Sequence, residues 1–92
     1  MDKDILREAA LRHPACVLPP YDMLMGKSGF DAIYTLCETM GGTTIYMPSM
    51  RGMFAACLAQ EAIREFDGYN YKGLARKFGF SERHVRQLVR GG

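Results

Sequence analysis

YKGLARKFGFSERHVRQLVR, residues 71–90, decides the fold. Leu74, Ala75 and Phe78 fall at i, i+1 and i+4, one face of a short helix, and Asn70 stands where it can cap the start. Gly79 follows where the chain must turn, and a residue without Cβ takes the positive-φ backbone that ends helices at little cost. Ser81 is placed to cap a second helix whose buried stripe is Val85, Leu88 and Val89. Ala75 is small where the two helices cross at close range. Arg83, Arg86, Gln87 and Arg90 are left facing outward on neighbouring turns. The spacing predicts a helix-turn-helix whose second helix enters DNA. The competing reading is a solvated amphipathic helix pair.

Charge is distributed to match. Residues 71–90 carry Lys72, Arg76, Lys77, Arg83, Arg86 and Arg90 against Glu82 alone, a net of +5, whereas residues 1–70 hold six cations against nine acids, a net of −3. A mildly acidic body with a basic end is the pattern of a nucleic-acid module joined to an interaction region. With 48% hydrophobic residues in 92, the chain is expected to fold, but its core is small and oligomerisation is a common remedy at this size.

Upstream of the motif, residues 50–66 form the longest helical pattern, capped by Ser49 and ended by Gly68. Met50, Met53, Phe54, Cys57, Leu58, Ala62 and Phe66 follow its apolar stripe, read as core that packs on Leu74, Phe78, Val85 and Leu88. Arg51 and Arg64 are open to phosphate contact or solvation, with solvation favoured for Arg64. Residues 43–47, TTIYM, are β-branched and aromatic, preceded by Gly-Gly and stopped by Pro48, and so predict a strand. A lone strand cannot satisfy its backbone. Ala15 to Leu18 is a weak partner within the chain; symmetric pairing with a second copy is the more economical solution, and an unpaired linker is the alternative. Residues 30–40 predict a helix with Ser28 as cap, Asp31 completing a capping-box variant and Gly41 taking the left-handed position at its end. Its stripe of Phe30, Ile33, Tyr34, Leu36, Cys37 and Met40 is wide, as expected of a helix covered by more than one neighbour. Residues 21–25 suggest one helical turn. Three prolines in residues 14–20 exclude helix there. A first helix spans residues 2–13, with Ile5, Leu6, Ala9, Ala10 and His13 on one side and Pro14 ending it.

The fold expected is therefore mainly α: a helical dimerisation region, residues 1–48, with one short β-strand pairing across the dimer, and a helix-turn-helix trihelical DNA-binding domain, residues 49–92. Cys16, Cys37 and Cys57 are widely spaced and odd in number, which argues against a disulfide framework; Cys37 and Cys57 are expected in the core. No metal, cofactor or small-molecule substrate is expected, no signal peptide or membrane span is seen, and the compartment expected is cytoplasmic. No paired carboxylates, nucleophile–base set or glycine-rich phosphate loop suggests an enzyme.

Three features together, a helix running into Gly41-Gly42, the Ile45-Tyr46-Met47-Pro48 segment and Phe66-Asp67-Gly68 ahead of the helix-turn-helix, resemble the Mor transcription activator family of phages and prophages over about Leu18 to Val89. The resemblance implies a homodimer with intertwined N-terminal halves, two helix-turn-helix units on an inverted-repeat site, and activation through RNA polymerase. It also implies a DNA-side role for Gly41, Gly42 and Tyr46. The sequence given stops two residues after Arg90, so a polymerase contact through a following tail is not among the expectations.

From the residues themselves, Arg83 and Gln87 are the expected base readers, since Arg pairs bidentately with guanine and Gln with adenine. Arg76 and Lys77, helped by Lys72, are expected on the phosphate backbone, as are the amides around Ser81 at a helix start. Arg90 is assigned to phosphate, and Arg86 is open to base or phosphate. Glu82 is either a cytosine acceptor or a carboxylate favoured at a helix start. The partners expected are double-stranded DNA, a second copy of the chain and RNA polymerase. The rival function is a small dimeric adaptor or anti-repressor that uses the helical unit for protein contacts.

Overall fold

The computed structural model describes residues 2–91, and these form five α-helices: α1 Lys3–Arg12, α2 Gly29–Met40, α3 Met50–Glu65, α4 Tyr71–Phe78 and α5 Glu82–Gly91. Several of the ends have a local cause. The Asp2 carboxylate accepts the Asp4 amide at 2.8 Å to start α1, and Pro14 stops it. Ser49 Oγ accepts the Gly52 amide at 3.0 Å to start α3. Gly79 ends α4 at φ 72°, with the Phe80 amide reaching back to the Ala75 carbonyl at 2.9 Å.

The core is built around α3. Its Cys57, Leu58 and Ala62 are buried in one cluster with Leu6, Ala9 and Ala10 of α1, Leu74, Ala75 and Phe78 of α4, and Val85 of α5. Ala9 and Ala10 carry no bulk, which lets α1 lie close against α3. At the end of this contact sits a buried charge that the hydrophobic pattern does not announce. Glu61, 2% exposed, receives Arg12 Nε at 3.1 Å, lies 3.2 Å from His13 Nε2 and has Arg64 Nη1 at 3.8 Å. Arg12 also reaches Glu8 at 2.9 Å.

The predicted strand is not formed: among the described residues the structure is all-helical, with no strand or sheet. Residues 43–47 run as irregular chain beside the core. The reason is a missing ladder. The weak internal partner, residues 15–18, is wound up elsewhere, because Pro14–Cys16 forms a 3-10 turn whose following amide, Val17, bonds back to Pro14. This turn also corrects the expectation that prolines exclude helix there; Pro at the first position of a short turn costs no hydrogen bond. Leu18 donates instead to the Met53 carbonyl at 3.0 Å. On the strand segment itself, the Tyr46 carbonyl is taken by the Tyr21 hydroxyl, and Thr43 bonds back to Met40 through its amide and its hydroxyl. β-propensity without a pairing edge leaves irregular chain.

α2 departs from expectation in a second way. None of its residues is buried, and Phe30, Ile33 and Tyr34 are 76%, 65% and 56% exposed. It touches the body chiefly through a 3-10 turn at Tyr21–Leu24. The molecule is accordingly long, 48 × 22 × 21 Å, with a radius of gyration of 15.1 Å; a compact chain of this length would have about 12 Å. Cys37 is exposed on α2 and is not a core thiol, whereas Cys57 is buried. Ser28 makes no side-chain cap, and Gly42, at φ 78°, takes the left-handed position expected of Gly41. Gly41 is small for another reason: a Cβ there would overlap the Cys37 carbonyl. Met50, at the exposed first turn of α3, also falls outside the core stripe.

Candidate nucleic-acid interface

α4, the Gly79 turn and α5 form the helix-turn-helix that the spacing predicts. Leu74, Ala75 and Phe78 on α4 and Val85 on α5 face the core, while Leu88 and Val89 are half-buried behind them. Ser81 Oγ accepts the His84 amide at 3.0 Å, so the cap predicted for α5 is present. Asn70 works differently from expectation. Its side chain makes no cap bond to α4; it accepts the Asp67 amide at 3.1 Å and donates to the Glu65 carbonyl at 3.0 Å. Asp67 Oδ1 in turn accepts the Tyr69 and Asn70 amides at 2.9 and 3.0 Å. The α3–α4 loop is thus closed by its own side chains, with Gly68 at φ 102° permitting the tight turn.

The outward row on α5 has the expected geometry. Arg83, Arg86, Gln87 and Arg90 are all exposed, and Arg83 and Gln87 lie one turn apart on the same side. Among the described residues, the side chains of Arg83, Gln87 and Arg90 make no hydrogen bond or ion pair within the chain; neither do those of Lys72 and Arg76 on α4. Two cations of the set are engaged. Lys77 Nζ sits 2.8 and 2.9 Å from the two Glu65 carboxylate oxygens and over the Phe78 ring. Arg86 Cζ lies over the Tyr71 ring, 4.6 Å from its centroid, with Glu82 3.8 Å away; Tyr71 itself packs on Phe66. Stacking holds the Arg86 fork in place while leaving its edge at the surface.

Gly41, Gly42 and Tyr46 belong to a different segment, between α2 and α3, and are exposed there. One residue left open by the sequence has a definite role. Arg51, on the first turn of α3, donates to the carbonyls of Phe78 at 3.1 Å and Gly79 at 2.9 Å, and its guanidinium lies 5.0 Å from the Phe80 ring centroid. An arginine on an exposed helix start gives no local signal of such a contact 27 residues away.

Compared with known families, residues 15–91 match the model of the Mor transcription activator family. The chain belongs to that family. The Mor match takes in α2 through α5 and begins after α1, so α1 and Arg12 lie outside it, while Glu61, which Arg12 contacts, lies inside. No curated protein and no solved structure matches the chain. Among the described residues, no helix is long and apolar enough to cross a membrane.

Proposed function

We propose that this Mor-family chain is a cytoplasmic, sequence-specific DNA-binding transcription activator of phage or prophage type, acting as a homodimer on an inverted repeat. The observation that carries the reading is the uncommitted row of Arg83, Gln87 and Arg90 on a recognition helix braced from behind by Val85. Arg83 and Gln87 read base edges in the major groove. Lys72, Arg76 and Arg90, with the amides capped by Ser81, hold phosphates, and Lys77 joins them by exchanging Glu65 for a phosphate. Arg86 has an aromatic platform and a free edge, which suits either base or backbone. Glu82 sits 3.8 Å from Arg86 at the helix start, which favours its structural role over contact with cytosine. Gly41, Gly42 and Tyr46 approach DNA in the family pattern, and RNA polymerase is the downstream partner.

Dimerisation is supported by α2, whose exposed Phe30, Ile33 and Tyr34 form an apolar face with no cover in one chain. A second copy would supply the cover and place two α5 helices on one DNA face.

Selection of bound duplexes from a random-sequence pool tests the reading. The expected product is an inverted repeat with half-sites about 34 Å, or a multiple, apart. Enrichment of a lone half-site would remove the dimer; absence of enrichment would favour the adaptor reading.

A further inference from the structure

We infer that Arg51 is a positioning residue for DNA reading: it fixes the turn between α4 and α5 to the start of α3, and so sets the angle at which α5 meets DNA. The inference rests on the DNA-binding reading above. The guanidinium spans two carbonyls, Phe78 O at 3.1 Å and Gly79 O at 2.9 Å, at the end of α4, where helix carbonyls lack intrahelical donors. Its Cζ lies over the Phe80 ring, 5.0 Å from the centroid, and the Phe80 and His84 rings meet edge-on at 4.7 Å on the first turn of α5. One side chain therefore touches the end of the first motif helix, the turn, and the aromatic that leans on the recognition helix.

The same side chain stands where the chain enters α3. Ser49 caps that helix, and Gly52 leaves room for the entry, since a Cβ there would lie 3.2 Å from Ser49 Oγ and 3.6 Å from Pro48 Cβ. Arg51 thus ties the incoming segment to the reading turn. Lysine cannot reproduce this contact: a single ammonium neither spans two fixed acceptors as a planar fork nor stacks as a plane. Two of its five N–H donors, one on each Nη, are held by backbone carbonyls, whereas the side chains of Arg83, Gln87 and Arg90 are held by nothing within the described residues.

The test uses the full chain, Arg51→Lys, Arg51→Gln and Phe80→Leu, with folding checked by circular dichroism. Affinity is measured across a salt series for the duplex the parent selects and for a random-sequence duplex of equal length. The expected result is a specific-to-random ratio reduced about tenfold in all three variants, the size of one weakened bidentate base contact, with random-duplex affinity and salt slope unchanged. Arg51→Lys keeps the charge and decides alone if the other two do not fold. A salt slope lowered by about one, with equal loss on both duplexes, would make Arg51 a phosphate contact and overturn the inference. An unaltered ratio in Arg51→Lys would overturn it too. If the parent enriches no sequence, both this inference and the DNA-binding reading fall; if it does and the ratio holds, only this one falls.

Discussion

Replacing Glu61 by Gln removes one charge from the α1–α3 contact with almost no change of shape. Two opposing terms decide the outcome. Glu61 loses charge-assisted contacts to Arg12 at 3.1 Å and His13 at 3.2 Å, and hydrogen bonds to charged groups contribute about 1.5–3 kcal/mol each. Against that, the buried carboxylate no longer has to be held out of water, a cost of several kcal/mol even after the surroundings relax. The former partners are 38% and 22% exposed, so they rehydrate on losing Glu61. The amide can still accept one of the two bonds. The relieved desolvation offsets most of the lost contact energy, and the net expected is a loss of about 1.5 kcal/mol, the low end for one charged hydrogen bond not replaced. In a domain of this size each kcal/mol moves the melting point by about 4–8 °C, so Glu61→Gln should melt roughly 6–12 °C lower. Total stability of about 5–14 kcal/mol leaves the variant folded and measurable. Thermal and urea melts by circular dichroism give the loss, and amide hydrogen exchange should show faster opening at Ala9 to His13 than in α4 and α5. A melting point within 1 °C of the parent, with α1 exchange unchanged, would refute the reasoning and leave α1 held by Leu6, Ala9 and Ala10 alone.

Arg83→Ala should relax preference at one base pair by about 1–3 kcal/mol, whereas Arg76→Ala should weaken selected and random duplexes alike; equal losses from both variants would contradict the assigned roles. Gly79→Ala forces a Cβ into a backbone at φ 72° and should cost about 1–2 kcal/mol in a urea melt, without moving the oligomeric state. Ile33→Glu, on a face of α2 left exposed among the described residues, should keep the melting curve of a diluted sample and, if the proposed dimer forms, shift the sizing profile from dimer to monomer. Maleimide should label exposed Cys37 first and Cys57 last, because burial pushes the Cys57 thiol up and closes access to it, with neighbouring Cys16 adding to the rise; mass spectrometry of peptides from a time course checks the order.

Where the sequence could be read, the information was local. Gly79, Ser81 and the apolar positions of α4 and α5 act within a turn or two of themselves, and the structure places them as their spacing predicts. The strand at residues 43–47 depends on an edge to pair with, and no composition of Thr, Ile and Tyr supplies one. Asn70 illustrates a finer limit: the residue type signals a side chain that bonds nearby backbone, but the Asp67 loop offers it better partners than α4 does. Arg51 and Glu61 were out of reach for the same reason, since each acts on residues far along the chain. The roles assigned to the α5 side chains rest on chemistry and exposure, and DNA selection is what bears on them.

α1 has a consequence for how many molecules can associate. It lies against α3 and shares a buried cluster with Cys57, Leu58 and Ala62. Without that cover, α3 would present a second apolar surface in addition to the one on α2. A particle with a single adhesive face closes on one copy of itself and stops, whereas one with two unlike faces goes on adding neighbours into open-ended chains. In the dimer proposed above, the ten residues of α1 occupy that second face, so assembly through α2 would stop at two copies.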